Sequence, residues 1–496
     1  MNQLPLLSLL IFLPFFCGVA LCLMPKVRAN TLYIFAIIGS VLTFFLSVFL
    51  WCQFDAASAD LQFVERLSWV SILNIEYFLG VDGISIPLIL LSTITTIVIV
   101  VTSDKSSENY HQYVGLFLML EGILIGVFSA QDSILFYLFW ELSLVPLLLV
   151  IGIWGGENRK YAAIKFFLYT FLGSVLMLIA LIYLGINSET FAIADLTIDG
   201  IPQFYQQMLF LFFLIAFAVK IPMWPVHTWL PDAHVQAPTG GSVILAAVML
   251  KLGGYGLIRF NLPLFAGVSQ TFALLVIVLS LIAIVYISFV ALSQEDMKSL
   301  IAYSSVAHMG FVTLGLFVIF LFKPFDADTA ALGVNGAIFQ MVSHGLISAA
   351  LFLGVGYLYN LTGTKKIKDF GGIARKAPVF SAFFVFFAFA NVALPGTSGF
   401  VGEFLVIIAS FRANFLIALV SALTMVLGAS YTLFMIKRVV FGPVTSKKVA
   451  MVKEIGVIDR CVYGLLAALV LLLGLSPSII IDVFQPVVEK IINLAI

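Results

Sequence analysis

Charged residues are scarce in this chain. Only 10% of its 496 residues are Asp, Glu, Lys or Arg, whereas ordinary soluble domains carry about 25%. The 25 Lys and Arg residues are balanced by 25 Asp and Glu residues, so no net charge attracts nucleic acid or another polyanion. Together with a 62% share of hydrophobic residues, this composition excludes a water-soluble globular protein and an electrostatic binder.

The chain also lacks the motifs that hold common cofactors. Its cysteines show no C-x-x-C spacing, which iron-sulfur clusters and structural zinc sites need. No G-x-G-x-x-G or G-x-x-x-x-G-K-[ST] run is present to bind a nucleotide. We therefore expect no cofactor and no metal on this chain. The four cysteines are Cys17, Cys22, Cys52 and Cys461.

Long apolar runs are what the sequence does contain. A transmembrane helix needs about 20 apolar residues to cross about 30 Å of hydrocarbon. Runs of this kind predict an all-α polytopic membrane protein with about 14 transmembrane helices. Lys26 and Arg28 follow the first run instead of preceding it, so we expect a retained span and not a secretory signal. The runs start near residues 4, 31, 81, 111, 133, 161, 205, 239, 268, 299, 331, 378, 413 and 461.

The distribution of basic residues supports this count. Most Lys and Arg residues fall in loops after odd-numbered helices, whereas the loops after even-numbered helices hold only Arg66, Arg259, Lys323 and Arg412. By the positive-inside rule, the odd loops face the cytoplasm. We expect a multi-pass protein of the bacterial inner membrane with both termini on the periplasmic side.

Two predicted helices are interrupted at comparable places. Prolines at 222 and 225 break helix 7, and Pro395-Gly396 breaks helix 12. The breaks lie five helices apart, as in transporters built from inverted repeats. The alternative is a pair of unrelated proline kinks. We expect N-terminal helices 1–3 in residues 1–109, a first inverted repeat in 110–260, a second in 261–440, and helix 14 with a tail in 441–496.

Several ionisable residues fall inside predicted spans, among them Glu141, Lys220, Lys251 and Glu403. At about 2.5–3.5 kcal/mol each, the insertion of these four costs on the order of 12 kcal/mol in total, which is comparable to the net stability of a domain. Glu141 and Lys220 lie at similar depth, so an ion pair between them is plausible. Such a pair titrates as a coupled unit and is either a proton switch or a static salt bridge.

Other buried polar residues extend this set. Lys251 suits a group that takes up and releases one proton per cycle, although a lysine that reaches an interface is the alternative. His308 and His344 lie near the middle of helices 10 and 11 and are either relay groups or packing residues. Glu403, just after the helix 12 break, is expected to accept the proton last. Glu121 is interpreted as a polar contact or a water ligand.

Three further residues could ligate zinc by type. His227, Asp232 and His234 follow helix 7, but their spacing is not specific for a metal. Loop hydrogen bonding is the favoured interpretation.

Four stretches resemble the antiporter-like, proton-pumping subunits of respiratory complex I, the NADH-quinone oxidoreductase. The resemblance covers nearly the whole chain, and the motif after helix 7 is highly specific. A segment at 322–330 looks longer than is usual in that family. The stretches are 139–142 (FWEL), 219–234 (VKIPMWPVHTWLPDAH), 300–310 (LIAYSSVAHMG) and 394–400 (LPGTSGF).

The resemblance implies a fourteen-helix core with a half-channel in each repeat and a central polar axis for protons. It assigns proton translocation to six residues, two in the first half-channel, one in the centre and three in the second half of the chain. Glutamate at 403, where sister subunits and Mrp-type antiporters usually have lysine, favours one branch of the family. The expected partners are other membrane-arm subunits, including two sister antiporter-like subunits, and lipid; NADH, FMN, iron-sulfur clusters and quinone are expected on partner subunits. The six residues to which the resemblance assigns proton translocation are Glu141, Lys220, Lys251, His308, His344 and Glu403.

Three functions are compatible with these features. The favoured one is a translocase subunit that pumps protons without a redox centre of its own. An Mrp-type subunit that exchanges cations for protons is the alternative. A structural membrane scaffold with inert buried pairs is the third.

Overall fold

The structure is a computed structural model that describes residues 4–24, 29–106, 108–322, 326–444 and 447–495. Lys26, Arg28 and Lys323, together with the rest of 323–325 in the long segment 322–330, lie outside the described residues. Within the described part, 13 helices are long and apolar enough to cross a membrane. Two shorter helices follow one another where helix 12 was predicted. The prediction of an all-α polytopic protein with about 14 spans is confirmed.

The helices and strands are numbered in chain order. They are α1 Leu6–Leu23, α2 Ala29–Gln53, β1 Gln62–Val70, β2 Ile75–Val81, α3 Ser85–Thr102, α4 Tyr110–Ser129, α5 Ser133–Leu142, α6 Leu144–Trp154, α7 Arg159–Ser188, α8 Gln203–Lys220, α9 Trp229–Gln236, α10 Thr239–Leu264, α11 Ala266–Leu292, α12 Met297–Phe317, α13 Ala327–Thr362, α14 Pro378–Asn391, α15 Ser398–Ala413, α16 Phe415–Val439, α17 Lys447–Ala450, α18 Val457–Leu475 and α19 Ser478–Ala495.

Both predicted helix breaks are present. The α8 helix ends at Lys220, and α9 begins only at Trp229. The second break separates α14 from α15, where Gly396 has a φ of +89°, a conformation that favours glycine. The freed backbone groups at such breaks must be satisfied by protein or water, because hydrocarbon offers no partner.

Two elements were not expected from the apolar runs. An antiparallel hairpin, β1 and β2, occupies the stretch between α2 and α3, and Leu67 pairs with Tyr77 in it. The C-terminal tail forms α19, which buries one face that includes Phe484 and Val488. Neither element is a long apolar run, so a search for membrane spans does not detect them.

Two of the basic residues named above as loop residues lie in helices instead: Arg259 belongs to α10 and Arg412 to α15. Lys298, the second residue of α12, is buried. The first turn of α12 is fixed by Asp296, whose carboxylate accepts hydrogen bonds from the backbone N–H groups of Lys298 and Ser299. Aspartate is a favoured helix N-cap, so the helix begins earlier than the apolar run alone suggests.

The chain divides into two compact units. The first comprises the described residues of 1–220, 251–271 and 482–496, and the second those of 221–250 and 272–481. In the first unit, α1 and α4 approach closely: a Cβ on Gly18 would lie 2.4 Å from the carbonyl oxygen of Gly115. In the second unit, α13 is the most buried long helix and packs against α12, α14 and α15. The predicted repeat boundaries remain a prediction.

A buried ion pair ties the start of α3 to α10 in the first unit. Arg259 Nη2 donates to Asp82 Oδ1 at 2.6 Å and to Ser85 Oγ at 3.1 Å, and only 3% of the Asp82 side chain is exposed. Burial alone would raise the pKa of the Asp82 carboxyl. The Arg259 guanidinium and the backbone N–H groups of Ile84 and Ser85 outweigh it, so this pKa lies below its usual range.

We predict that Arg259→Met destabilises the protein by about 3–5 kcal/mol, because it leaves the Asp82 carboxylate buried without its counter-ion. The deficit should shrink as pH falls, since protonation of Asp82 removes the unpaired charge. The measurement is the thermal unfolding of the detergent-solubilised protein. Arg66→Met is the control, because Arg66 pairs with Glu76 at an exposed site, where pairs contribute about 0–1 kcal/mol. Equal losses in both variants would contradict the prediction.

Candidate functional site

The first group of ionisable residues lies near the break after α8, with Lys220 buried and Glu141 half-buried. Lys220 is the last residue of α8, and its side chain is 2% exposed. Its ammonium nitrogen lies 5.1 Å from the centroid of the Trp140 ring, within the range of a cation–π interaction. It makes no hydrogen bond to any described residue.

Glu141 is the neighbour of Trp140 near the end of α5. Its carboxylate lies near the Ser174 hydroxyl of α7 and interacts electrostatically with Lys220. The ammonium group of Lys220 has no hydrogen-bond partner among the described residues, so the two charges interact without a direct hydrogen bond. Two charges coupled in this way still respond to each other's protonation.

Lys251 lies in α10, fully buried. Its seven-residue α-helical segment, Leu250–Gly256, is flanked by the π-helical segments Leu245–Met249 and Leu257–Asn261. π-helical turns are rare and are frequent at functional sites, because they leave backbone groups outside the regular α-helical pattern. These π-helical segments could not be predicted from the sequence, since π turns have no simple residue signature.

The second group of ionisable residues is more tightly connected. His308 on α12 and Glu403 on α15 are in direct contact, with Nδ1 of the imidazole 2.6 Å from Oε1 of the carboxylate. Both side chains are nearly inaccessible to solvent. The same carboxylate oxygen accepts a second hydrogen bond, at 3.1 Å, from Nε2 of Gln340 on α13. The contact of Gln340 with Glu403 was not expected from the sequence.

His344 flanks this pair instead of separating its members. Its ring centroid lies 5.7 Å from that of His308. A cavity of about 10 Å³ is lined by His308, His344, Asn391 and Glu403, among others, which is just at the size that can hold one water. His308 contacts Glu403 directly, so a proton path between them need not pass through His344. An imidazole and a carboxylate at this distance can exchange a proton without an intermediary.

Lys298 is a buried basic residue at the start of α12. Its ammonium group donates to the carbonyl oxygen of Ala237 at 2.7 Å and to the Ser242 hydroxyl at 3.2 Å. Ala237 directly follows α9, and Ser242 lies in the first turn of α10. The lysine thus links the end of α9, where carbonyl groups carry partial negative charge, to the start of α10.

Three residues were considered for metal binding. Asp232 and His234 lie in α9 and His227 just before it, so the expected loop is largely helical. His234 stacks on Phe352, with centroids 4.3 Å apart, and His227 packs edge-on against Tyr303. The residues that the structure describes contain no group of three or more His, Cys, Asp or Glu residues that could hold a metal ion.

Glu121 is fully buried on α4. Neither carboxylate oxygen has a hydrogen-bond partner among the described residues. The interpretation as a polar contact is therefore not supported by a protein partner, and a water ligand remains the prediction.

Comparisons with known proteins add a family context. The family model described as NADH:quinone oxidoreductase/Mrp antiporter, TM, matches residues 130–437. NADH-quinone oxidoreductase subunit M of Rhodobacter capsulatus is 46% identical, with 98% of this chain and 96% of that protein covered. NADH-ubiquinone oxidoreductase chain 4 of Marchantia polymorpha is 39% identical, with 98% and 97% covered.

A solved structure agrees with these relatives. The structure titled respiratory complex I from Thermus thermophilus with bound NADH contains a chain that superimposes with a TM-score of 0.88 at 29% identity, covering 99% of both chains. The resemblance inferred from the four sequence stretches is confirmed.

Proposed function

The chain belongs to the NADH:quinone oxidoreductase/Mrp antiporter transmembrane family, and on this premise we propose that it is the subunit-M-type, proton-translocating membrane-arm subunit of an NADH:quinone oxidoreductase. Quinone reduction in neighbouring subunits supplies the driving force, and this chain carries no redox centre. The observation that carries the proposal is the buried His308–Glu403 contact at 2.6 Å, because a shared proton needs two such groups within hydrogen-bond distance.

The proposed relay starts at the coupled Glu141 and Lys220 and ends at Glu403. Lys220 passes its proton toward Lys251, from which His308 receives it and hands it to Glu403. His344 supports the cavity beside this last step. Each residue keeps the role that the family resemblance implies, with His344 beside the His308–Glu403 contact.

Electrostatic interactions along the relay can supply the free energy that proton translocation requires. Moving one charge against 100 mV requires about 2.3 kcal/mol. A change of one pKa unit corresponds to about 1.36 kcal/mol, so shifts of a few units along the relay cover that requirement. Withdrawal of the Glu141 charge would make Lys220 release its proton more readily. The first pair then acts as a switch and not as a static salt bridge.

The setting of the protein follows from the same proposal. It lies in the bacterial inner membrane with both termini on the periplasmic side. Its partners are other membrane-arm subunits, including two sister antiporter-like subunits, and lipid. NADH, FMN, iron-sulfur clusters and quinone belong to partner subunits. The inverted repeats, residues 110–260 and 261–440, each supply one half-channel.

We predict that Lys220→Met and Glu403→Gln each abolish proton pumping while the complex still assembles, because both remove a proton carrier at nearly constant volume. The measurement is the number of protons moved per NADH oxidised in membrane vesicles, normalised to assembled complex. Lys160→Met and Glu157→Gln are matched controls, since both residues are exposed. Normal pumping in both relay variants would refute the relay. Loss of assembly with normal pumping per assembled complex would favour a scaffold.

The family model also covers Mrp antiporters, so an exchange of Na⁺ or K⁺ for protons is the competing function. We predict that vesicles containing the complex show no cation-dependent proton flux when NADH and quinone are absent, because the proposed relay moves protons only when quinone reduction drives it. A pH-sensitive dye measures the flux after a pulse of NaCl or KCl. A flux that Lys220→Met abolishes would favour the antiporter.

A further inference from the structure

Gln340 occupies a constrained place beside the His308–Glu403 pair. It lies on α13, four residues before His344, and its side chain is 2% exposed. Its amide Nε2 donates to Oε1 of Glu403, which is the oxygen that also contacts His308. One carboxylate oxygen is therefore held by two neighbours from two different helices.

Close approach of α13 and α15 fixes the glutamine. A Cβ on Gly402 would lie 2.6 Å from Oε1 of Gln340 and 2.9 Å from its Cα. A Cβ on Gly336 would lie 2.9 Å from the carbonyl oxygen of Gly402. Real Cβ atoms are not found at the shorter distance, so glycine at 402 is what allows Gln340 to sit against Glu403.

The hydrogen bond from the amide favours one of the two protonation states of the His308–Glu403 pair. An N–H group bonds more strongly to a charged carboxylate than to a neutral carboxyl group. In the His308–Glu403 pair, the proton resides either on the imidazole, which leaves Glu403 charged, or on Glu403. Donation from Gln340 favours the first arrangement. The other polar groups near the pair are Ser343, His344 and Asn391, which line the same cavity, and Tyr431.

We propose that Gln340 is a positioning residue that orients Glu403 toward His308 and biases their shared proton toward the imidazole. This inference rests on the proposed function. It assigns a role outside the six relay residues, and it explains why an uncharged side chain should matter for proton transfer.

The test compares Gln340→Met with Gln340→Glu in the assembled complex. Both replacements fill a similar volume, but methionine only removes the donor, whereas glutamate also places a second acceptor beside Glu403. Protons moved per NADH oxidised should fall in the order Gln, Met, Glu, with a loss on the order of tenfold from the first to the last. A purely structural role predicts equal pumping per assembled complex in the two variants. Equal pumping, or pumping in Gln340→Met at the unaltered level, would overturn the proposal.

A substitution on α15 tests the same Gln340–Glu403 contact from the other helix. Gly402→Ala should displace Gln340 and lower pumping per assembled complex. Gly464→Ala on α18 is the control, because a Cβ at Gly464 meets no atom within 4 Å. Full pumping in Gly402→Ala would overturn the proposal, as would loss of assembly in all three test variants, because a structural role would then be sufficient.

Failure of this inference can be told apart from failure of the proposed function. If Lys220→Met and Glu403→Gln abolish pumping but Gln340→Met does not, only the positioning role is lost. If the relay variants pump normally, the proposed function fails and the positioning role fails with it.

Discussion

The cost of placing a charge in hydrocarbon governs how this protein is built. An ionisable side chain inside a span is tolerated only where protein or internal water replaces bulk solvent. The structure meets this requirement in different ways: a paired guanidinium and carboxylate for Arg259 and Asp82, an aromatic face for Lys220, and an imidazole with an amide for Glu403. Only the first is a tightly paired, hydrogen-bonded salt bridge of the kind that stabilises a fold without exchanging protons.

The helix breaks follow from the same constraint. Lys220 ends α8, and Glu403 lies in the second turn of α15, just after the break that follows Asn391. An interrupted helix exposes backbone N–H and C=O groups that cannot face lipid, so each break must be enclosed by protein. Enclosure supplies the polar surroundings that the neighbouring charge also needs. The helix break and the ionisable group therefore occur together, because both need the same polar enclosure by protein.

The spans, both breaks and several ionisable residues within the spans could be predicted from the sequence, because long apolar runs and prolines have direct physical consequences. The burial of Lys298 and the pairing of Arg259 with Asp82 could not. Nor could the sequence predict which of the ionisable residues touch. The His308–Glu403 contact joins positions 95 residues apart, and Gln340 is an ordinary polar residue until α15 brings Glu403 against it. The hairpin β1–β2 and helix α19 were missed because they lie outside the apolar runs that define spans.

The two ends of the proposed relay differ in how a proton could leave them. His308 and Glu403 are already in hydrogen-bond contact, so transfer between them needs no rearrangement of heavy atoms. Lys220 makes no hydrogen bond to any described residue, so proton transfer from it needs a water or a movement of its ammonium group. A lysine has a flexible four-carbon stem, whereas the Glu403 carboxylate is held from two helices. If the relay operates, the step that requires movement, and can therefore be controlled from outside, is the one at Lys220.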